Sequence, residues 1–317
     1  MNQLILTKFF FLVLSFLFFS SHPASCLEQI DSFTQIEQID SPMQNEYSLS
    51  SSCSLSSEDE DDCPECCFRN VVRAQLGYSI GQFTGIRDDY FECDAFATFF
   101  PTETFLPFFD FHYYRFVDGR KAASVGLGAR MAECGCGMIG GNIYYDFLEG
   151  HLGDFNRVGF GFEWLHCSWA LRINGYIPIN KETHTEFCHF SYLGGYEAFS
   201  KKKEYVMGGL DAQIEASLCS WKHTEIIGWI GPYYYHHKGF RDVFGAQAGL
   251  DFILSKYLSV QINASCDKVF GTTVQGKLLW TIPFTDCFDC CLEELARPVR
   301  RNHLIFTRQR KCWNWNW

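Results

Sequence analysis

The sequence predicts an all-β protein: a transmembrane antiparallel β-barrel of about 12 strands, with a disordered N-terminal arm and a short C-terminal tail. The clearest observation lies between Gly159 and Ile179, where Phe160, Phe162 and Trp164 alternate with glycine and glutamate. Successive side chains of a strand point to opposite faces of the sheet, so this period of two predicts strands. The polar parity repeatedly carries charge and glycine, which is typical of a barrel interior in a membrane.

The N-terminus predicts export. A short positive start ending at Lys8 precedes the apolar run Phe9 to Phe19, and small and polar residues follow up to Cys26. This order is that of a secretory signal peptide, assigned to residues 1–26, and the apolar run is too short to span a bilayer comfortably. A lipoprotein signal ending at Cys26 is an alternative, although Pro23-Ala24-Ser25 suits it poorly. No later stretch reaches the roughly 18 consecutive apolar residues of a membrane helix.

The net charge of −11 arises in one segment. Between Leu27 and Cys66 there are eleven Asp or Glu residues and no Lys or Arg, so the remaining 26 acidic residues balance 26 basic ones. We expect residues 27–68 to form a disordered spacer because they are acidic and rich in serine and glutamine. The chain presents no basic face that would favour nucleic acid as a partner.

The barrel is expected between residues 69 and 284, followed by a tail at 285–317. Alternation and turn residues place the strands at 70–80, 90–100, 104–115, 120–131, 136–147, 155–165, 167–179, 205–218, 223–235, 242–254, 257–267 and 272–284. The connections alternate between longer and shorter, and the longest runs from Asn180 to Glu204. Long outer loops opposite short periplasmic turns are typical of outer-membrane barrels. An even number of strands then places both ends of the barrel on the periplasmic side.

The same parity predicts which polar side chains face the lumen. A Lys or Arg that faces lipid at the bilayer midplane costs about 2–4 kcal/mol, and Asp or Glu somewhat less, so charges on strands are expected to point inward. The predicted lumen-facing residues are Glu163, Arg172, Asp211, Gln213, Glu215, Gln261, Asn263 and Lys277. Leu210, Ile214, Ile262 and Trp280 are expected to face lipid.

Sixteen cysteines in an exported chain favour disulfides. The strand assignment places ten of them at the periplasmic rim as candidate disulfide partners: Cys63, Cys66, Cys67, Cys134, Cys136, Cys167, Cys219, Cys287, Cys290 and Cys291. The C-x-x-C pairs Cys63/Cys66 and Cys287/Cys290 would alternatively suit a four-thiolate zinc site. Oxidation is favoured, so no metal or cofactor is expected. His184, Cys188 and His189 are interpreted as polar loop residues rather than metal ligands.

Several segments resemble the barrel domain of the intimin/invasin family, the inverse autotransporters. They are Gly126-Leu127-Gly128-Ala129-Arg130, Gly141-Asn142-Ile143-Tyr144-Tyr145-Asp146, Arg157-Val158-Gly159-Phe160-Gly161-Phe162-Glu163 and Asn174-Gly175-Tyr176-Ile177-Pro178-Ile179, with weaker similarity at Gly208 to Asp211 and Ala248 to Asp251. The resemblance covers roughly residues 70–284 and implies a twelve-stranded barrel. In that family the barrel anchors a C-terminal adhesive passenger and exports it through its own lumen, with the N-terminus periplasmic.

The sequence departs from the family pattern at both ends, because an acidic arm precedes the barrel and only 33 residues follow Phe284. We therefore expect a bacterial outer-membrane anchor or translocator without a recognisable adhesin passenger, and no enzymatic activity. A porin-like or disulfide-cross-linked structural protein is the alternative, and a soluble β-sandwich is a third. The expected partners are outer-membrane lipid, the barrel-assembly machinery and other envelope proteins joined through disulfides.

The tail after Phe284 is expected to be a remnant linker that can enter the lumen. The alternatives are a disordered periplasmic tail, or one in which Trp313, Trp315 and Trp317 mimic a barrel-assembly signal. From Arg297 to Lys311 it carries six Arg or Lys residues and no acid, which suits a lumen lined by Glu163, Asp211 and Glu215. Fully extended, 33 residues reach on the order of 110 Å. A bilayer with its headgroups is only about 40–45 Å thick.

Overall fold

The computed structural model describes residues 70–102, 104–133, 137–166, 168–179, 183–192, 196–221, 224–238, 241–284 and 297–316. Its strands are β1 Val72–Gly81, β2 Tyr90–Thr98, β3 Phe105–Phe116, β4 Lys121–Glu133, β5 Gly137–Glu149, β6 Asp154–His166, β7 Trp169–Pro178, β8 Thr183–Tyr192, β9 Tyr196–Val206, β10 Gly208–Trp221, β11 Thr224–His236, β12 Val243–Ser255, β13 Leu258–Asp267, β14 Gly271–Pro283 and β15 Thr307–Asn316. The described part of the chain contains no helix of sufficient length and hydropathy to cross a membrane.

Twelve of these strands close a barrel in the order β1-β14-β13-β12-β11-β10-β7-β6-β5-β4-β3-β2, and each neighbouring pair is antiparallel. The predicted barrel and its strand count are thereby confirmed. Closure pairs β1 with β14, from Arg73 opposite Pro283 to Gly81 opposite Gln275. We call the end at which β1 begins and β14 ends the terminal rim, and the opposite end the hairpin rim.

The hairpin rim carries a second, three-stranded sheet in the order β15-β9-β8. Strands β8 and β9 form a hairpin within the segment that the sequence analysis interpreted as the long Asn180–Glu204 loop, so that interpretation was wrong. Strand β15 joins the sheet from the C-terminal tail, with Thr307 opposite Val206 and Asn316 opposite Glu197.

Side-chain burial alternates along the barrel strands. Leu210, Ile214 and Trp280 are 52%, 58% and 62% exposed on the outer face, where Ile262 also lies. Their strand neighbours of opposite parity, such as Asp211 and Gln275, are buried inside. The outer face is therefore an apolar band and the inner face is polar, as a barrel in a bilayer requires because its lipid-facing surface offers no hydrogen-bond partners.

Candidate functional site: a lumen occupied by the C-terminal segment

The barrel interior holds a ladder of ion pairs that connects β4, β6, β7 and β10. Glu163 on β6 accepts from Arg130 on β4 at 3.0 and 3.1 Å through one oxygen, and from Arg172 on β7 at 3.2 Å through the other. Arg172 continues the ladder to Glu215 on β10 at 2.8 Å. Charges on inward positions thus satisfy one another across four strand boundaries, from β4 to β10, which offsets the cost of removing them from water.

Residues 297–306, here called the lumen segment, run through this interior. Near the terminal rim, the guanidinium of Arg297 lies 2.9 Å from Glu225 at the start of β11, and Arg130 donates to the Arg297 carbonyl at 2.9 Å. Arg300 pairs with Asp251 on β12 and lies 3.2 Å from Glu215. The wall therefore supplies carboxylates to the side chains of the segment and an arginine to its backbone.

Arg301 is the most enclosed cation of the segment. Its guanidinium donates to Asp146 at 2.8 Å and lies over the Tyr144 ring at 4.2 Å from the centroid. A Cβ atom at Gly159 would lie 2.1 Å from its Nη2 atom, so the glycine makes room for the guanidinium against the β6 backbone. Asp146 also accepts from Arg157 at 2.8 Å, and Arg157 in turn donates to the Asn302 carbonyl at 2.6 Å.

Asn302 is hydrogen-bonded to the wall on every side. Its side-chain amide donates to Asp211 at 3.1 Å and to the Tyr235 hydroxyl at 2.9 Å, while its backbone N–H donates to the Tyr176 hydroxyl at 2.9 Å. Tyr176 itself donates to Asp211 at 2.6 Å, and Asn174 donates to the other oxygen of that carboxylate at 2.9 Å. Such a closed network specifies one position of the segment along the barrel axis.

The last three residues of the lumen segment make apolar contacts, whereas the preceding residues make ion pairs and hydrogen bonds. Leu304 and Ile305 pack in one cluster with buried aromatic and aliphatic side chains at the hairpin rim, among them Tyr114 and Phe155. Phe306 packs in a second cluster and lies 4.4 Å from the Tyr235 ring centroid. An apolar seal therefore closes the hairpin rim around the segment, and β15 begins directly outside it.

A cavity of about 570 Å³ remains beside the lumen segment. Glu92, Gln275 and Lys277 contribute to its wall from β2 and β14. Lys277 donates to Glu92 at 3.0 Å, so this side of the barrel is neutralised by its own strands rather than by the segment.

The comparisons with known proteins agree with this architecture. A model of the β-domain of inverse autotransporters matches residues 64–229. The chain belongs to this family. It is therefore an outer-membrane β-barrel, and the resemblance seen in the sequence is confirmed.

A search of solved structures found chains similar to this inverse autotransporter domain at low sequence identity. One, described in work on the in-meso crystallization of membrane proteins, is 16% identical with a TM-score of 0.57, covering 76% of this chain and 100% of that one. An outer membrane channel from Pseudomonas putida F1 is 9% identical (TM-score 0.42; 72% and 100% covered), and outer membrane phospholipase A from Escherichia coli is 8% identical (TM-score 0.37; 69% and 93% covered). No curated protein matches the chain.

Of the polar residues predicted for the lumen of the inverse autotransporter barrel, Glu163, Arg172, Asp211, Gln213, Glu215 and Asn263 are buried, and Gln261 and Lys277 are half-buried beside the cavity. Arg130, Asp146 and Arg157 bond to the lumen segment but were not predicted to do so, although all three stand in the segments that resemble the family. Each of the three lies on the inward-facing parity of its strand, and this was the sequence signal that could have identified them as lumen residues.

Nine of the ten cysteines predicted for the terminal rim lie outside the described residues: Cys63, Cys66, Cys67, Cys134, Cys136, Cys167, Cys287, Cys290 and Cys291. The tenth, Cys219, is an exposed free thiol near the end of β10. Residues 1–69, with the predicted signal peptide and acidic arm, also lie outside the described residues. His184, predicted to be a loop residue, lies in β8 and its Nε2 atom contacts the Asp154 carbonyl at 3.0 Å.

The turn between β3 and β4 at the hairpin rim is held by Asp118. Its carboxylate accepts from the backbone N–H of Arg120 at 3.1 Å and from that guanidinium at 2.6 Å. Partial burial raises the pKa of Asp118, but these hydrogen bonds and the Arg120 charge outweigh it and leave the pKa below its usual value.

Proposed function

We propose that the protein is an outer-membrane anchor and translocator of the inverse autotransporter type, and that its own C-terminal segment occupies the lumen. The observation that supports this is the continuous course of the chain. Residues 297–306 contact the wall from Glu225 near the terminal rim to Phe155 at the hairpin rim, and β15 then pairs with β9 beyond the barrel. Ten extended residues span about 33 Å, close to the roughly 30 Å hydrocarbon thickness of a bilayer.

In this proposal the terminal rim faces the periplasm and the hairpin rim faces outward. An even number of strands puts both barrel ends on one side, and outer-membrane barrels place their longer connections outside. The β8–β9 hairpin is the longest connection between barrel strands in the described chain. The N-terminal arm would then lie in the periplasm and β15 at the cell surface.

The wall chemistry suits a passage that holds an extended chain. Arginines of the lumen segment form ion pairs with Asp146, Glu215 and Asp251. Its carbonyls accept hydrogen bonds from Arg130 and Arg157. Catalytic chemistry is not part of this proposal, since these groups bind backbone and cations through fixed ion pairs. Outer-membrane lipid and the barrel-assembly machinery are the proposed partners, and Cys219 offers a thiol to envelope proteins at the terminal rim.

Epitope accessibility tests the orientation directly. One variant carries a tag after Trp317 and a second carries the same tag within residues 27–68. We expect antibody to label the first on intact cells and the second only after the outer membrane is permeabilised. Heat-modifiable gel mobility controls for barrel folding in both variants. The reverse labelling pattern would overturn the orientation, and labelling of neither on intact cells would overturn the passage of the tail.

A pore is the second candidate function, and the cavity of about 570 Å³ favours it. Its polar wall would hold water beside the lumen segment, so small ions would have a path that the segment does not fill. Planar-bilayer recording of the full chain tests this candidate. Steady small conductance supports it, and a silent barrel that conducts only without its tail supports the translocator alone.

A further inference from the structure

A group of buried ligand atoms joins the lumen segment to β3, outside the contacts described above. Asp110 and His112 occupy positions i and i+2 of β3 and therefore point to the same inner face. His303 of the lumen segment stacks on His112 with ring centroids 3.7 Å apart. One ligand atom from each of the three residues lies within 4.8 Å of the others. Asp110 is fully buried and His112 is 5% exposed.

Each of these residues has its second polar atom held by another group. The Tyr144 hydroxyl donates to Asp110 Oδ2 at 2.7 Å, and His112 Nδ1 lies 2.7 Å from Asp94 Oδ1. His303 Nε2 lies 3.2 Å from the Val299 carbonyl, which can only accept, so this nitrogen carries the proton. Metal-binding histidines are oriented in this way, by a carboxylate or a carbonyl on the ring nitrogen that does not ligate.

The remaining atoms of Asp110 and His112 face one another. Asp110 Oδ1 and His112 Nε2 lie 3.1 Å apart, which is an ion pair when the imidazole is protonated, and neither atom has another hydrogen-bond partner. With Nδ1 of His112 donating to Asp94, its Nε2 atom meets the Asp110 carboxylate either through a proton on that nitrogen or through a metal ion that displaces this proton. Ligands bound to zinc at about 2.0–2.1 Å in a tetrahedron lie roughly 3.3 Å apart, close to the observed separation.

We propose that Asp110, His112 and His303 form a binding site for a divalent transition-metal ion of the zinc type, which fastens the lumen segment to β3. Two imidazoles and one carboxylate are a ligand set that such ions prefer over magnesium or calcium. His303 Nδ1 is the nitrogen that does not contact the Val299 carbonyl, and the Ser124 hydroxyl lies 3.4 Å from it. The ion would add a metal-dependent contact to the hydrogen bonds and ion pairs that already hold the segment.

A second group of potential ligands supplies the matched control. Asp88, Asp118 and His151 also bring ligand atoms within 4.8 Å of one another, at the hairpin rim. Arg120 already pairs with both carboxylates of that group, and two of its three residues are exposed. We therefore expect no metal there, which makes His151→Gln a change in a similar cluster without the proposed site.

The experiment is zinc titration of the full, refolded chain by calorimetry, with visible absorption of bound Co²⁺ as the second measurement. Thiols are alkylated before refolding because sixteen cysteines would compete for the ion. We expect one equivalent of zinc and a cobalt spectrum without thiolate charge transfer. His112→Gln and His303→Gln should lose this equivalent and His151→Gln should keep it, with barrel folding checked by heat-modifiable mobility.

Binding that survives both His112→Gln and His303→Gln, or its absence from the folded wild type, would overturn the site. A His303→Asp variant provides a further check, since it restores a ligand and should recover weaker binding. Failure of this proposal is distinguishable from failure of the translocator, because the accessibility of the C-terminal tag does not depend on metal. A folded wild-type chain that binds no zinc but still exposes its tag refutes the site alone.

Discussion

The two sides of the barrel interior neutralise their charges differently. On the side formed by β4 to β7 and β10, Arg130, Arg157 and Asp146 bond to the lumen segment. On the side of β2 and β14, Lys277 and Glu92 pair with each other and line the cavity. The polar groups of the first side thus have partners in the tail, and those of the second side have partners on their own strands. Removing the tail should therefore unbalance the first side and leave the second nearly unchanged.

Deleting residues 292–317 is expected to have the largest effect. The lumen would open along its whole length, so single-channel conductance in planar bilayers should rise severalfold while insertion is retained. A chain that ends after Phe306 is the control, because it keeps the lumen segment and should stay close to the full chain in conductance. Loss of membrane insertion on deletion would show instead that the tail is an assembly signal.

Asn302→Ala tests, with a single substitution, the side of the barrel interior that bonds to the lumen segment. The change leaves the Asp211 carboxylate and the Tyr235 hydroxyl without their amide partner, at a cost of about 1–3 kcal/mol for each buried group left unsatisfied. We expect faster proteolysis of residues 297–306 in the folded barrel. Gln309→Ala, an exposed change in β15, should leave the proteolysis rate near that of the wild type. Equal rates in both variants would mean that the network does not hold the segment.

Lys277→Met tests the side formed by β2 and β14, where Lys277 and Glu92 pair with each other. It leaves Glu92 facing the cavity without its cation, so any residual current should become more cation-selective while the lumen segment stays in place. Reversal potentials in a salt gradient measure this change. A shift towards anions, or release of the segment, would contradict the independence of the two sides.

The smallest expected effect lies at the hairpin rim. Because the pKa of Asp118 is depressed in the folded state, its contribution to stability is complete above the unfolded pKa of about 3.9 and is lost as the pH falls through the lower folded value. Asp118→Asn should remove this acid-side loss of thermal stability below pH 4, by about 0–1 kcal/mol for a partly exposed pair. A melting temperature whose pH dependence matches the wild type would refute it.

Much of this fold could be read from the sequence, because a barrel strand must alternate and each charge must point inward. Asp211 and Glu215 on β10 illustrate this, since their parity alone predicts burial. The charge pattern of the tail also predicted a partner for Glu215, which Arg300 supplies. Glu163, expected to meet the tail, is instead neutralised by Arg130 and Arg172. Arg172 stands directly opposite Glu163 across the β6–β7 hairpin, and Arg130 reaches it across β5, so the wall itself supplies both partners of Glu163.

The second sheet could not be predicted for a related reason. Strand β9 carries Lys201, Lys202 and Lys203 in succession. Considered from the sequence alone, three consecutive lysines indicate a solvated loop rather than a strand. Its partner β15 lies about a hundred positions further along the chain and reaches β9 only through the barrel. Pairing at such separation depends on the path of the chain rather than on either segment.

The C-terminal part of the chain threads the closed barrel and continues into β15 outside it. The hydrogen bonds between β1 and β14 close a loop of backbone around the lumen segment, and β15 is paired on the far side over ten positions. A pull on the chain at the terminal rim must first unzip β15 from β9, whereas a pull on the C-terminus peels the same strand from its free end. The sheet β15-β9-β8 therefore acts as a stopper outside the barrel, because the lumen segment cannot be withdrawn towards the terminal rim until β15 has separated from β9.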